Sequence, residues 1–396
     1  MNEQFFPFKK IRKEQQNIID EINKNLDKRY IIIEAGTGTG KSGIAIAAAL
    51  SDGNGYVITD SLQLQDQYMS DFGGVSIANL KGKNNYRCTD NPKFSCEFGK
   101  CSVNSKVLAN CIRNGLCPYL EARKKALGSN IFLTNYAYII LASEVEGLLK
   151  PRGDLIFDEA HLLENHLTEF CTLSLNVDDL EKTYSIMSEA SQDEEKFLFR
   201  DIDSFNGDYT NFVSTLYLVC SRKFTKEKEA FEKEEKDLMS GNENDQELAA
   251  MLAEGHKKFY QFEKIIDNMN NYLSNPTSSN WIIDTKDNTL SIRPLKVDWV
   301  FKDYLDKLAT EHIYFMSATI LDKDDFCYSL GINPDEALFI REESSFDPDK
   351  SPIYGVCTCR TDYKSLQDSS NMQKVAEAVK YILNILIYAI CGGFLG

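Results

Sequence analysis

In IIIEAGTGTGKSGIAIAAAL, residues 31–50, three glycines (Gly36, Gly38, Gly40) stand between a buried-strand pattern and an alanine-rich helix pattern. Glycine accepts the positive φ angles that turn successive N–H groups toward one point, and the N-terminus of the following helix adds partial positive charge there. That arrangement suits phosphate. Ala35, Gly36, Thr37, Gly38, Thr39, Gly40, Lys41 and Ser42 fit the P-loop pattern, with alanine at its first glycine position. The pattern puts Lys41 in reach of β and γ phosphates and Ser42 on Mg2+, so the ligand class is ATP with Mg2+. The complementary carboxylates come in GDLIFDEAH, residues 153–161, where an apolar run stops at Asp158. Asp158 suits a Mg2+ ligand acting through water, Glu159 suits orienting and polarising the attacking water, and His161 suits sensing the γ phosphate. Lys41, Asp158, Glu159 and His161 are therefore the catalytic candidates.

A second group of reactive side chains lies between the two motifs. Five of the eleven cysteines fall between Cys88 and Cys117, spaced C-x7-C-x4-C-x9-C-x5-C. The N-terminal stretch MNEQFFPFKKIRKEQ has no apolar run with a cleavage site, so a reducing compartment is expected and the thiols read as metal ligands. Spacing alone leaves zinc and iron–sulfur both open. The same segment is basic: residues 81–125 hold ten Lys/Arg against three acids, in a chain whose net charge is -16. The overall charge excludes a wholly basic nucleic-acid coat protein, while the local patch suits phosphate contact.

These side chains need strands and helices to position them. YVITDSLQLQDQ (56–67) reads as a strand ending at Thr59 and then a helix, and HIYFMSATI (312–320) as a buried strand ending in Ser317-Ala318-Thr319. Ser317 and Thr319 are candidates for coupling hydrolysis to a grip on phosphate. Residues 171–285 carry no catalytic motif. In the charged segment 221–273, Phe259, Phe262, Ile266, Met269 and Leu273 keep helical spacing, which predicts a helical hairpin. WIIDTKDNTLSIRPL (281–295) predicts a β-hairpin turning at Lys286 to Asn288. His166, His256 and His312 read as ordinary surface or core residues. VAEAVKYILNI (375–385) reads as an amphipathic helix, and the tail after it breaks at Gly392-Gly393, too short an apolar run for a membrane anchor.

The order AGTGTGKS, TDSLQLQDQ, DEAH and SAT is that of motifs I, Ia, II and III of superfamily-two helicases, and NYRC and CPY lie between Ia and II. With them the chain resembles the XPD/DinG family. The resemblance implies an α/β fold: a P-loop RecA-like parallel-sheet domain with an iron–sulfur insertion and a mainly helical arch insertion. It divides the chain into motor domain 1, first part (1–80), iron–sulfur insertion (81–120), the DEAH part (121–170), arch (171–285), the closing part with SAT (286–340) and the start of motor domain 2 (341–396). It implies that Arg12 and Gln15, in IRKEQ, contact adenine. It also implies a [4Fe-4S] cluster on Cys88, which follows an NY pair, Cys101, Cys111 and Cys117, which precedes PY. Cys96 is then the extra thiol, and the alternative exchanges it for Cys101. The ordered loop would hold Tyr86, Phe94 and Phe98 beside the DNA path.

The activity implied is ATP-dependent helicase movement, 5′→3′, on single-stranded or forked DNA, with repair among the roles such enzymes serve. Protein partners are left open, no membrane is implied, and the expected location is cytoplasmic, or nuclear in a eukaryote. The alternative is an ATP-gated DNA-binding protein without unwinding activity. Two departures stand out. Asp60-Ser61 makes segment Ia more acidic than the family's usual turn, and only about fifty residues follow SSFDPD, without an arginine-bearing QxxGRxxR pattern. The expectation is a chain ending early in its second motor domain, binding ATP weakly and unwinding poorly.

Overall fold

Runs such as YIIIEA and DLIFD carry large apolar side chains at consecutive rather than alternate positions, the pattern of strands covered on both faces. The computed structural model describes residues 1, 3–189, 209–239, 245–277, 279–320, 322–343, 358–360 and 363–392. It divides into two units, residues 1–345 and 346–396. The described strands, in chain order, are β1 (Tyr30–Ala35), β2 (Gly55–Thr59), β3 (Ile77–Asn79), β4 (Ile131–Asn135), β5 (Asp154–Asp158), β6 (Leu173–Asn176), β7 (Trp281–Lys286), β8 (Thr289–Pro294), β9 (Ile313–Ser317) and β10 (Ala337–Glu342).

Seven of them form one sheet in the order β10-β1-β9-β5-β2-β4-β3, every pair parallel. The fold class is thus α/β with a parallel sheet, as expected. β1, β2, β5 and β9 are buried along nearly their whole length. One face is covered by the helices Lys13–Lys24 and Lys41–Ser51, whose apolar residues pack on Ile31, Ile33, Val57 and Met316. On the other face Phe157 and Phe315 stack at 5.5 Å under Phe301. All the parallel strands end at one edge, and there the strand-end motifs meet.

The middle region makes its own core. Helices Tyr209–Met239 and Gln246–Ser274 pack side by side, with Phe262 and Met269 fully buried and Phe259 on Phe224 and Phe231. A three-stranded antiparallel sheet, β6-β8-β7, closes this core through Leu175, Trp281, Leu290 and Ile292. The β7–β8 turn has Asp287 and Asn288 at φ 51° and 56°, the mirror-type turn that suits a two-residue hairpin. The boundary drawn at 285/286 falls inside this hairpin, and that at 340/341 falls inside β10, which pairs with β1 as far as Glu342.

The segment 81–117 has little regular structure: three short 3-10 turns and one helix, Ser105–Asn114, capped by Asn104. It is tied to the sheet through Pro118–Gly128, the helix that begins directly after Cys117. Buried Arg152 holds the far end of that helix, donating to the carbonyls of Ala126, Leu127, Ser129 and Asn130 at 2.7–3.1 Å. The guanidinium shares this helix end with Ser129, whose Oγ donates to Ala126 O at 2.8 Å, and with Gly55, whose N–H donates to Asn130 O at 2.9 Å. In the second unit the expected helix 375–385 is part of a longer one, Ser369–Gly392. SSFDPD lies outside the described residues. Among the described residues no helix is long and apolar enough to cross a membrane.

Candidate nucleotide site and cysteine pocket

The glycine turn after β1 is built as its sequence demands. Gly38 and Gly40 have φ near +80°, and a Cβ on Gly40 would stand 2.3 Å from Gln15 Nε2. Thr39 closes the turn by donating to Gly36 O at 2.8 Å. Lys41 is 8% exposed, and its ammonium donates to Ala35 O at 2.9 Å across the loop mouth. Arg12 and Gln15 lie against the loop: Arg12 donates to Gly38 O, and Gln15 donates to Gly40 O at 3.3 Å while accepting from Arg12 N–H. Together with Thr37, Ser42, Asp158 and Glu159 they line a cavity of about 460 Å³, whose other walls include Phe8, Lys10 and Phe72.

Asp158 ends β5 and is nearly buried. Burial pushes its carboxyl above the ordinary range, opposed first by a hydrogen bond from Tyr68, whose hydroxyl donates to Oδ2 at 2.7 Å. Tyr68 also takes a hydrogen bond from Ser42, and its own pKa is pushed well above 10 by burial and the adjoining Asp158. The phenol therefore bridges the two residues expected to hold Mg2+. Sequence reading missed it, since one tyrosine on the helix Leu62–Asp71 carries no spacing signal. Glu159 follows in the left-handed region, φ 54°, a conformation that costs a non-glycine residue about 1–2 kcal/mol.

His161 does not line the cavity. Its Nδ1 is 2.8 Å from Ser317 Oγ and 3.5 Å from Glu159 Oε2. Ser317 in turn holds Thr319, whose N–H donates to Ser317 Oγ at 3.1 Å. The end of β9 is tied to β1 as well, because Ile320 N–H donates to Glu34 Oε2 at 2.7 Å and Arg341 pairs with Glu34 Oε1 at 2.7 Å. A chain of contacts thus runs from Glu159 through His161 to the SAT segment.

The histidines read as ordinary residues all meet carboxylates. His166 stacks on Tyr136 at 4.7 Å and bonds Asp60 Oδ1 at 3.0 Å, so the acidic departure in segment Ia has a partner in the helix after DEAH. His256 meets Glu235, and His312 meets Asp52 and Asp154.

Five thiols converge on a second cavity of about 480 Å³, walled by Cys88, Cys96, Cys101, Cys111 and Cys117. Cys101 is pushed up to about 12 by burial and by the neighbouring Cys117, Cys111 and Cys88 sulfurs. Cys96 is the most deeply buried of the five, with its sulfur 3.8 Å from that of Cys117 and 3.6 Å from Arg87 O. A single tetrahedral Zn2+ needs sulfurs about 3.8 Å apart all round, from bond lengths near 2.3 Å. Among the described residues no three cysteine sulfurs come within 4.8 Å of one another. The donor set is all-thiolate, a chemistry that suits either zinc or an iron–sulfur cluster.

Tyr86 and Phe98, expected along a DNA path, are half-buried and make packing contacts. Tyr86 packs on Tyr119 at 5.7 Å, and Phe98 lies under Lys257 while its carbonyl accepts from Gln246. Tyr86 thus packs on the helix Pro118–Gly128, and Phe98 docks on the helix Gln246–Ser274. The exposed apolar residues are instead Ile112 and Leu116, at 59% and 46%, among exposed Arg87, Lys93, Lys106 and Arg113.

The family described as Type III restriction enzyme, res subunit, matches residues 8–171. The chain is 27% identical over 226 residues to the ATP-dependent DNA helicase YoaA of Escherichia coli (strain K12), covering 42% of this chain and 35% of that one. It is 32% identical over 80 residues, 19% of this chain and 10% of the other, to the XPD/RAD3 subunit of the general transcription and DNA repair factor IIH of Saccharomyces cerevisiae. It therefore spans about a third or less of the length of these relatives. A solved XPD helicase superimposes with a TM-score of 0.51 at 14% identity, over 84% of this chain and 63% of that one, and so shares the fold. In sequence the chain is thus similar to ATP-dependent helicases and to XPD-type subunits over part of its length, and it shares the fold of an XPD helicase, with the four motifs meeting at one sheet edge.

Proposed function

We propose that this chain is the ATP-hydrolysing, DNA-gripping part of a 5′→3′ helicase that tracks along single-stranded DNA. The observation that carries the reading is the line Glu159–His161–Ser317–Thr319, which joins the nucleotide cavity to the strand end suited to phosphate contact. In this reading the P-loop N–H groups and Lys41 bind the β and γ phosphates, and Arg12 and Gln15 face the adenine. Ser42 and Asp158 hold Mg2+, whose chemistry is to neutralise charge on the phosphate oxygens. Glu159 orients a water and accepts its proton. His161 then registers the change and passes it to Ser317 and Thr319, which loosen or tighten on the DNA backbone.

Cys88, Cys101, Cys111 and Cys117 fit the ligand set of a [4Fe-4S] cluster, with Cys96 beside it. The cluster supplies folding energy to a polar loop that buries little apolar surface of its own. The ordered loop presents Ile112, Leu116 and the surrounding cations to forked DNA, and its contact through Gln246 to the long helices closes one side of a passage for a strand.

Steady-state ATP turnover with and without single-stranded DNA tests the motor reading, and turnover indifferent to DNA would refute it. Forked duplexes with one or the other tail then test direction. The reading as an ATP-gated binding protein predicts ATP-dependent DNA affinity with no strand separation on either fork. For the cluster, anaerobically purified protein should be brown and hold four irons, and a colourless zinc-containing preparation would sink the assignment.

A further inference from the structure

A cluster of three ionisable groups, one of them buried, lies at the opposite end of the sheet strands from the nucleotide cavity. Asp52 ends the helix that begins with Lys41, Asp154 begins the strand that ends in Asp158, and His312 precedes the strand that ends in Ser317. Their nearest donor atoms all lie within 4.8 Å of one another. Asp154 is fully buried, and its Oδ2 has no hydrogen-bond partner.

We infer that Asp52, Asp154 and His312 form a structural site for a divalent cation of the Zn2+ type, with an open position toward solvent on the Asp52 side. His312 Nδ1 lies 3.2 Å from Asp52 Oδ2 and 3.5 Å from Asp154 Oδ1. Bond lengths near 2.1 Å put the ligands of a tetrahedral zinc about 3.4 Å apart. The other ring nitrogen, Nε2, is 3.3 Å from Leu26 O, the carbonyl contact that holds a metal-bound imidazole in the right tautomer. Imidazole with two carboxylates is a hard-to-borderline donor set, unlike the thiols of the cysteine pocket. Two converging carboxylates also need a positive charge between them. An imidazolium meets Asp52 and one oxygen of Asp154, but leaves the orphaned Oδ2 without a donor, whereas a cation neutralises the whole group. Bound there, the metal pins together the far ends of three elements whose near ends carry Lys41, Asp158 and Ser317.

The test compares wild type with Asp52→Asn and Asp154→Asn, each stripped with a chelator and dialysed against Zn2+, with bound metal counted by mass spectrometry. The cysteines and the nucleotide site are common to all three chains, so their contribution cancels. Wild type should retain one more equivalent than either variant, and its melting temperature should rise on adding Zn2+ while that of Asp52→Asn stays unchanged. Asp52 is partly exposed, so its variant folds even if Asp154→Asn does not. Co2+ added to the stripped wild type should show weak visible bands of a nitrogen–oxygen site that are missing in Asp52→Asn. Equal metal content in wild type and a folded Asp52→Asn would overturn the proposal and leave a proton as the group's only bridge.

Discussion

Tyr68→Phe removes one oxygen and nothing else, from a position 1% exposed. The lost bond is the 2.7 Å donation to Asp158 Oδ2, a hydrogen bond to a charged acceptor worth about 1.5–3 kcal/mol. Asp158 keeps the N–H of Glu159 on Oδ1 at 3.1 Å, but burial, which already raises its pKa, then acts with less opposition. Removing a group that orients a metal ligand typically costs 10–100-fold in metal affinity, about 1.4–2.7 kcal/mol, in agreement with the value of the bond. The variant should therefore need roughly 10–100-fold more Mg2+ to half-saturate binding of a fluorescent ATP analogue, with affinity recovering at high Mg2+. Raising the pH should narrow the gap, since it restores the ionised carboxylate. The reasoning fails if Tyr68→Phe shows the wild-type Mg2+ requirement, or loses nucleotide binding in a way that no Mg2+ concentration repairs.

Four further outcomes follow from the geometry. Arg152→Met should lower stability by about 1–3 kcal/mol, because the carbonyls of Leu127 and Ser129 lose their guanidinium donor while those of Ala126 and Asn130 keep other donors, and urea unfolding should show a lower midpoint with an unchanged slope. Glu159→Gly relieves a left-handed conformation and should raise stability by about 1 kcal/mol in thermal melts while abolishing ATP turnover. Gly40→Ala should eliminate nucleotide binding, since its Cβ meets Gln15 and the φ of +80° is strained, and calorimetry with ATP would detect any residual affinity. In chelator-treated protein, the hydrogen bond that His312 donates to Asp154 lifts the imidazole to about 9, against an unfolded value of ~6.5. Its contribution is full below the unfolded value and is lost as pH rises through about 9; the melting temperature should fall across that window, and His312→Asn should flatten the fall.

Much of the motor core is legible because its chemistry is local. A glycine turn between a strand and a helix can only be built by the residues that form it, and a short run of large apolar and aromatic residues such as YIII or IYFM marks a two-sided strand. The parallel sheet and the helical pair Tyr209–Met239 and Gln246–Ser274 follow from periodicities of the same kind. β6 was not legible: LSLN is four residues long, and only its pairing with β8 makes it a strand.

What the sequence by itself determined was which residues could do chemistry and in what order they come, since residue type and near-neighbour spacing carry that information. Tertiary structure alone decided which of them meet. Tyr68 reaches Asp158 across ninety residues of chain, His161 finds Ser317 across 156, and Asp52 finds His312 across 260. Phe98 meets Gln246 because the cysteine loop docks on a helix some 150 residues away. Such separations leave no periodic trace, because the strand order of a parallel sheet, and not distance along the chain, sets which strand ends become neighbours.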